Sequence, residues 1–343
     1  MNQHLELNDT DRSRGAVWGM FIGDALAMPV HWYYNTMALK MDYGTVRDYL
    51  PPKNPHPDSI LDRSSYTPFN EKGDILHDQA QYWGKPGIHY HQFLKAGENT
   101  LNLKLARLLI DSLNERGGYD ADDYLDRFIS FMITPGNHRD TYVEEYLRAF
   151  FDRYARGNSP QNCGIPEKHI GGLSGLAPII VSYRKHPDLA RQKAREHLAL
   201  THLGPAMEDA ADWFADVLLK VLDGAPLRKV LEQGIASRAF SFYDHPFEKW
   251  LPESDERVIG QYVSPACYVA DSIPAVTFLA LKYHDDPEGG LVANTNVGGD
   301  NAYRGVVLGA LLGAENGLDA LPESWRTGLL EPPPDVSEAS LDL

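Results

Sequence analysis

Three short polar clusters in this chain hold the residue types from which chemistry could be built. The first, Gly23-Asp24-Ala25-Leu26-Ala27-Met28-Pro29-Val30-His31, closes an apolar segment with regularly spaced glycines. The second, Gly97-Glu98-Asn99-Thr100, opens a leucine-rich segment. The third, Asn294-Thr295-Asn296-Val297-Gly298-Gly299-Asp300-Asn301-Ala302-Tyr303-Arg304, leads into the last apolar segment. Asn99, Thr100, Asp300 and Asn301 are favoured helix N-cap types. A cap is worth about 1 kcal/mol, and capping would account for each cluster taken singly. The third cluster outgrows that account, because one cap has no need of Gly298-Gly299, two preceding asparagines and an arginine. A Gly-Gly turn entering a helix frees backbone N–H groups to face an anion, and the helix dipole helps. Arg304 could grip a phosphate with both arms of its guanidinium. The chemistry this suggests is binding of a phosphate or a metal–phosphate.

Other polar residues have simpler readings. Asp24, inside the glycine-spaced segment, is expected to hydrogen-bond neighbouring segments, and His202 to fix the turn before Gly204-Pro205. His89 and His91 stand two apart with no third ligand at zinc spacing. Gly171-Gly172-Leu173-Ser174-Gly175 reads equally as a nucleotide cradle or an interhelix turn. Cys163 and Cys267 have no activating base nearby in sequence and read as buried thiols.

The elements that must position these groups are helical. Leu101, Leu105, Leu108, Leu109 and Leu113 fall on one face of a helix over Thr100–Leu113, with Lys104, Arg107 and Asp111 opposite. Similar periodicity predicts helices at Tyr119–Ile133, Asp140–Tyr154, Asp188–Leu200, Met207–Leu222 and Ala266–Tyr283, the last kinked at Pro274. Strand alternation is almost absent, so the class is all-α. Two segments depart from the amphipathic rule. Small residues recur every fourth position at Gly15, Gly19, Gly23 and Ala27, and again at Gly305, Gly309 and Gly313. Glycine costs roughly 1 kcal/mol per interior helix position relative to alanine, so a stripe of it makes sense where backbones must approach closely. Both helices are expected to be central and buried, and they can pack on each other. Residues 50–97 hold six prolines, little periodicity and many aromatic and histidine side chains, which predicts an ordered loop insertion or lid.

Composition narrows the classes. The 343 residues carry a formal charge of −16, with no basic run, which argues against a nucleic-acid or anionic-membrane partner. Two cysteines exclude a disulfide framework and a thiolate zinc cluster. The polar start and the shortness of the apolar runs argue against a signal peptide or a membrane span, so a soluble, cytoplasmic protein is expected. A single domain spans 1–343, with a core over 12–320 and a polar tail at 321–343.

Gly15-Ala16-Val17-Trp18-Gly19-Met20-Phe21-Ile22-Gly23-Asp24-Ala25-Leu26 resembles the opening motif of the ADP-ribosylglycohydrolase family. Asn296-Val297-Gly298-Gly299-Asp300, followed by Gly309-Ala310-Leu311-Leu312-Gly313-Ala314, looks like its closing motif. Thr201-His202 and Cys267–Ala275 fit the segments between. The resemblance runs from Arg14 to Gly317 and implies an all-α orthogonal helical bundle with a polar cleft. It also implies Mg²⁺ or Mn²⁺, held in the family by a Thr-Asp-Asp-Thr and a Gly-Gly-Asp-x-Asp-Thr motif. Here those motifs read Gly97-Glu98-Asn99-Thr100 and Gly298-Gly299-Asp300-Asn301-Ala302-Tyr303, and an acidic residue usual after the opening motif is His31. With two carboxylates left, a pair of hard ions about 4 Å apart lacks the negative charge it needs. At most one ion is expected, on Glu98, Asn99 and Asp300. The alternative is none, its charge replaced by protonated His31 or by Arg304.

The function that the resemblance implies is a hydrolase cleaving a glycosidic bond at C1 of an ADP-ribose-like or related ribosyl substrate. Glu98 or Asp300 would activate water and His31 would serve as the acid. Arg304 and the Gly298-Gly299 backbone would hold phosphate, Asn99 and Asn301 would orient hydroxyls, and Trp32, Tyr33 or Tyr90 would stack on the base. The second reading is a catalytically inactive, ligand-binding or crystallin-like structural member of the same fold. The partner expected is a small molecule; the sequence leaves the oligomeric state open.

Overall fold

The computed structural model describes residues 7–340. Its longer helices are Asp9–Ala27, Leu101–Arg116, Ala121–Ile133, Glu145–Ala155, Pro187–Ala199, Pro205–Leu222, Leu227–Ser237, Val269–Lys282, Pro287–Asn296 and Asn301–Asn316. Among the described residues the one sheet pairs Ile165–Pro166 with His202–Leu203 in parallel. The chain is all-α, as its periodicity implies. No described helix is long and apolar enough to cross a membrane.

The two glycine-striped helices, Asp9–Ala27 and Asn301–Asn316, lie against each other at the centre. Gly15 faces Gly313, Gly19 faces Gly309 and Gly23 faces Gly305, and a methyl group on any of them would strike the opposing backbone. From Asn301 to Ala314 every residue is buried. The first helix starts on a capping box, in which Asn8 accepts from the Thr10 and Asp11 N–H groups and the Asp11 carboxylate accepts from the Asn8 N–H. Other helices wrap this pair, so the C-terminal end of the first and the N-terminal end of the last meet inside the molecule.

The segment 50–97 is folded against that meeting point. It forms 3₁₀ turns at Leu61–Arg63, Glu71–Gly73 and His77–Tyr82, and it buries His56, His89, Tyr90 and His91. The helix expected from Asp140 starts at Glu145 instead. The Thr141 and Tyr142 N–H groups donate to the Tyr90 carbonyl at 2.9 and 3.1 Å, which holds this stretch extended against the loop. Part of the expected polar tail is also tied down. Trp325 is buried with its indole N–H on the Arg47 carbonyl, and Ser340 N–H donates to the Gly117 carbonyl. Residues 341–343 of that tail lie outside the described residues.

Candidate functional site

His31 follows a single 3₁₀ turn, Met28–Val30, that ends the first glycine helix, and Asp300 caps the last one. Two reciprocal hydrogen bonds lock these ends together: Trp32 N–H to the Gly299 carbonyl at 2.8 Å, and Gly299 N–H to the Tyr33 carbonyl at 2.7 Å. Trp32 pays for this with a left-handed backbone, φ +64°, which costs a non-glycine residue roughly 1–2 kcal/mol. Gly298 and Gly299 both sit at φ +67°, pressed on the Tyr33 and Pro265 carbonyls where no side chain fits. The result is a contact between His31 Nε2 and Asp300 Oδ1 at 3.0 Å, both groups fully buried.

The contact continues into a chain. His31 Nδ1 meets His91 Nε2 at 2.8 Å, and His91 Nδ1 meets Asp140 Oδ1 at 2.8 Å. Burial acts to raise the Asp140 pKa, but the His91 hydrogen bond and the Lys104 ammonium outweigh it and hold the carboxylate at about 2. Burial lowers His31 well below its ordinary range and raises Asp300. Two neighbouring histidines from the loop brace the same turn. His56 Nδ1 accepts from Asp58 N–H, so its Nε2–H donates to the His31 carbonyl; His89 Nδ1 accepts from His91 N–H, so its Nε2–H donates to the Pro29 carbonyl.

On its other side Asp300 faces His169. The stretch Lys168–Ile170 is bonded to Cys267–Val269 through backbone N–H groups at both ends, which sets His169 beside Cys267. His169 Nδ1 accepts from Gly171 N–H, so the neutral ring carries its proton on Nε2. That nitrogen lies 3.5 Å from Glu144 Oε2 and 3.6 Å from Asp300 Oδ2. His169 Nε2, Asp300 Oδ2 and Trp32 Nε1 are all buried without a hydrogen-bond partner. Burial and the charge of Asp300 raise the Glu144 pKa well above the carboxylate range. Tyr303 lies edge-on to both His31 and His169. Tyr34, half exposed, turns its hydroxyl inward, where burial and then the charge of Asp300 raise its pKa. Asp300, Glu144 and His169 thus form a buried polar cluster, with the partly exposed Cys267 beside it.

Several residues singled out in the sequence lie elsewhere or are engaged otherwise. Glu98 is not beside Asp300. Its carboxylate pairs with Lys104 at 2.9 Å and Arg139 at 3.6 Å and accepts from Lys95 N–H. The Asn99 amide donates to the Phe21 carbonyl and to Asp24, which also binds Thr100, so this cluster clasps the first helix to the leucine helix. The set Glu98, Asn99 and Asp300 is therefore not assembled as metal ligands. Arg304 is wholly buried, with Nε on Asn294 Oδ1 and Nη2 on the Gly298 carbonyl, so it braces the turn that the sequence reading made a phosphate site. The Gly299 and Asp300 N–H groups are taken by the Tyr33 and Pro265 carbonyls and do not face an anion. Asn301 donates to the Thr295 and Val30 carbonyls. Tyr33 and Tyr90 are buried with their hydroxyls on Asp42 and the Asp58 carbonyl, and Trp32 is boxed edge-on by Tyr90 and Tyr142, so none offers an open face to a base.

Glu144, His169, Asp140 and Tyr34 were missed by the sequence reading, His91 was set aside, and Cys267 was read as a buried thiol. The sequence signals near them were the glycine run that follows His169 and the family-like segment that begins at Cys267. Among the described residues, His169, Cys267 and Asp300 bring one nitrogen, one sulfur and one oxygen within 4.8 Å of one another, a group that could hold one metal ion. A sulfur and a nitrogen donor do not match the oxygen shell that Mg²⁺ or Mn²⁺ prefers. His169 would also have to surrender its Nε2 proton, which Nδ1 cannot take up while it accepts a hydrogen bond from Gly171 N–H. A separate surface groove of about 360 Å³ is lined by Arg184, Lys185, Arg191 and Lys220, which are already ion-paired.

The family model for ADP-ribosylglycohydrolase matches residues 5–343. An uncharacterized protein of Archaeoglobus fulgidus is 23% identical over 325 residues, covering 93% of this chain and 92% of its own length. A solved ADP-ribosylglycohydrolase-related protein complex superposes with a TM-score of 0.63 at 26% identity, covering 94% of this chain and 93% of the solved one. On these findings, the chain belongs to the ADP-ribosylglycohydrolase family.

Proposed function

We propose that the buried cluster of Asp300, Glu144 and His169 hydrolyses a glycosidic bond at C1 of an ADP-ribosyl-type substrate. The observation that carries this reading is a pair of buried carboxyl groups flanking one imidazole N–H, with Asp300 Oδ2 left unpartnered. Glycoside hydrolysis needs one carboxyl to protonate the leaving group and another to act at the sugar carbon on its opposite side. Glu144, whose proton is held by burial, suits the first role. Asp300 suits the second: Oδ2 accepts a hydrogen bond from water, while Oδ1 is fixed by His31. As the water oxygen bonds to C1, the water gives a proton to Asp300 Oδ2, the bond from C1 to the leaving group breaks, and the leaving group takes the Glu144 proton. The His169 N–H orients the water or a ribose hydroxyl between the carboxyls, and the Tyr34 hydroxyl contacts the leaving group or base.

The test is release of free ribosyl product from a panel of ADP-ribosylated peptides and small ADP-ribosides, followed chromatographically. Glu144→Gln and Asp300→Asn should each lower kcat by at least about 100-fold. Tyr34→Ala should raise KM and leave the melting temperature alone. Turnover that survives both carboxyl substitutions refutes the site. A second reading, ligand binding without catalysis, is favoured by one observation: the positions matched to the family's first metal motif are tied into structural pairs with Lys104 and Asp24. A thermal shift with ADP-ribose, accompanied by no turnover of any riboside, selects that reading.

A further inference from the structure

Residues 332–340 take no part in the site above and carry no helix or strand. They run as a strap across three helices. The Arg107 guanidinium donates to the Pro332 carbonyl at 2.8 Å, and Asn114 donates to the Asp335 carbonyl and accepts from Ser337 N–H, both at 2.8 Å. The Ser182 hydroxyl donates to the Ser337 carbonyl at 2.8 Å, and the Ser182 carbonyl accepts from Ala339 N–H at 2.9 Å. Together with the helices Asp9–Ala27 and Leu176–Ser182, the strap lines a cavity of about 160 Å³. The apolar lining is Val17 and Trp18 from the first helix, Val181 from the second, and Pro334 and Val336 from the strap. A cavity of about 150 Å³ walled by apolar side chains holds one benzene ring. The charges in the lining cancel in pairs. Arg14 meets Asp335 at 3.1 Å and Arg184 meets Glu338, while Lys185, which does not line the cavity, also meets Glu338 at 2.9 Å. Two polar atoms on lining residues are left over. Arg184 Nη1 donates to the Val181 carbonyl and Nη2 to Glu338, but Arg184 Nε and Ser13 Oγ are buried with no hydrogen-bond partner among the described residues. A buried donor without a partner is costly, and an acceptor brought in by a ligand removes that cost.

We infer that this cavity is a second binding site, which takes an uncharged single-ring aromatic molecule bearing one acceptor oxygen. The ring lies among Val17, Val181 and Val336 with Trp18 beside it, where its apolar surface leaves water. The oxygen, with two lone pairs, accepts from Ser13 O–H and Arg184 Nε–H. The ligand is uncharged because each guanidinium in the lining already has a carboxylate and each carboxylate a guanidinium, so an ion would enter without a counter-ion. The strap forms one wall and the first helix another, so an occupied cavity joins the two. The Arg14–Asp335 pair alone does this weakly, since its side chains are 44% and 74% exposed. Binding at this place therefore firms the strap. The site uses none of Asp300, Glu144 or His169, and its test does not depend on whether any riboside is cleaved.

Benzamide is the probe, with benzoate as its charged counterpart of equal size and toluene as the ring without oxygen. Calorimetric titration of the full chain should give benzamide a Kd of about 1 mM or tighter. Benzoate and toluene should each bind at least about fivefold more weakly. At about ten times its Kd, benzamide should raise Tm by about 2 °C. Amide hydrogen exchange at Ser337, Ala339 and Ser340 should slow in its presence. Ser13→Ala removes a hydroxyl that has no partner, so the fold should persist while benzamide affinity falls at least about threefold and toluene affinity stays the same. Val336→Trp fills the cavity from the strap and should abolish binding. Absence of benzamide binding at about 20 mM overturns the site, as does binding that survives Val336→Trp or is unchanged by Ser13→Ala. Benzoate bound as tightly as benzamide overturns the choice of an uncharged ligand.

Discussion

Replacing glycine by alanine in the central helix pair tests whether the stripes hold the site together. Helix propensity alone predicts that Gly19→Ala stabilises the chain by about 1 kcal/mol. The structure predicts the opposite. A Cβ on Gly19 would fall on the Gly309 carbonyl, and one on Gly15 or Gly23 on the carbonyls of Gly313 or Gly305. Those obstacles are backbone atoms of a buried helix, which cannot rotate aside, so the helices must part. Overpacking of a well-filled core costs about 1–3 kcal/mol, and a backbone obstacle belongs at the upper end or beyond it. After the propensity gain, each substitution should cost about 2 kcal/mol or more. With an unfolding entropy of about 2 cal/mol/K per residue over a chain of this length, that lowers Tm by about 3 °C. Urea unfolding and calorimetry measure both quantities. Position along the stripe adds a second arm. Gly23 and Gly305 lie next to the ends that carry His31 and Asp300, whereas Gly15 and Gly313 lie at the far end of the pair. Gly23→Ala should therefore reduce turnover, and Gly15→Ala should lower stability alike while leaving kcat nearly intact. A neutral or stabilising Gly19→Ala refutes the close-packing argument. Equal loss of activity at Gly15 and Gly23 refutes the claim that the stripe's inner end registers the site.

Arg304→Lys should lower stability by about 2–3 kcal/mol, since it removes charge-assisted bonds to Asn294 and the Gly298 carbonyl inside the core. The affinity for ADP-ribose in the folded fraction should change less than about twofold, which calorimetric titration can check against a phosphate-clamp role. Asp140→Asn removes a carboxylate held at about 2, against an ordinary 3.8. The ionised form adds about 2 kcal/mol, present above the ordinary carboxyl pKa and lost as the pH falls through 2. The stability gap between wild type and variant should shrink by about 1 kcal/mol between pH 7 and about pH 3 in urea titrations. Burial lowers the His197 pKa to about 3. An unfolded chain protonates this residue below about 6.5 while the fold keeps it neutral, so stability falls with falling pH by about 2 kcal/mol between pH 7 and 5. His197→Gln should remove that slope from the unfolding free energy.

The central helices were legible because glycine at every fourth position is a direct imprint of backbone contact: each residue in the stripe answers to one opposing carbonyl. His31 and Asp300 were legible for a related reason, since they terminate those same helices and their place follows once the helices pair. Glu144, Asp140 and His169 were not. Asp140 and Glu144 sit in a stretch whose periodicity continues into the helix Glu145–Ala155, and bonds to a distant loop, among them the Tyr90 carbonyl and the Trp83 indole N–H on Thr141, hold it extended. His169 takes its position from backbone bonds to Lys168–Ile170's partner stretch near Cys267, about a hundred residues later, and no local pattern encodes such pairing. Motif matching misled in a specific way. Glu98 aligns with an aspartate of the family, but its carboxylate is turned to Lys104, and Asn99 serves Asp24. These changes form a consistent set with His31. A site built to hold divalent ions needs several ionised carboxylates facing one point, which would draw protons onto any imidazole among them. Here Glu98 pairs with Lys104, Asn99 serves Asp24, Ala302 carries no charge, and the His31 imidazole meets Asp300 with His91 and Asp140 behind it. The buried Asp300 carboxyl is thereby joined to a hydrogen-bonded series that runs through His31 and His91 to Asp140.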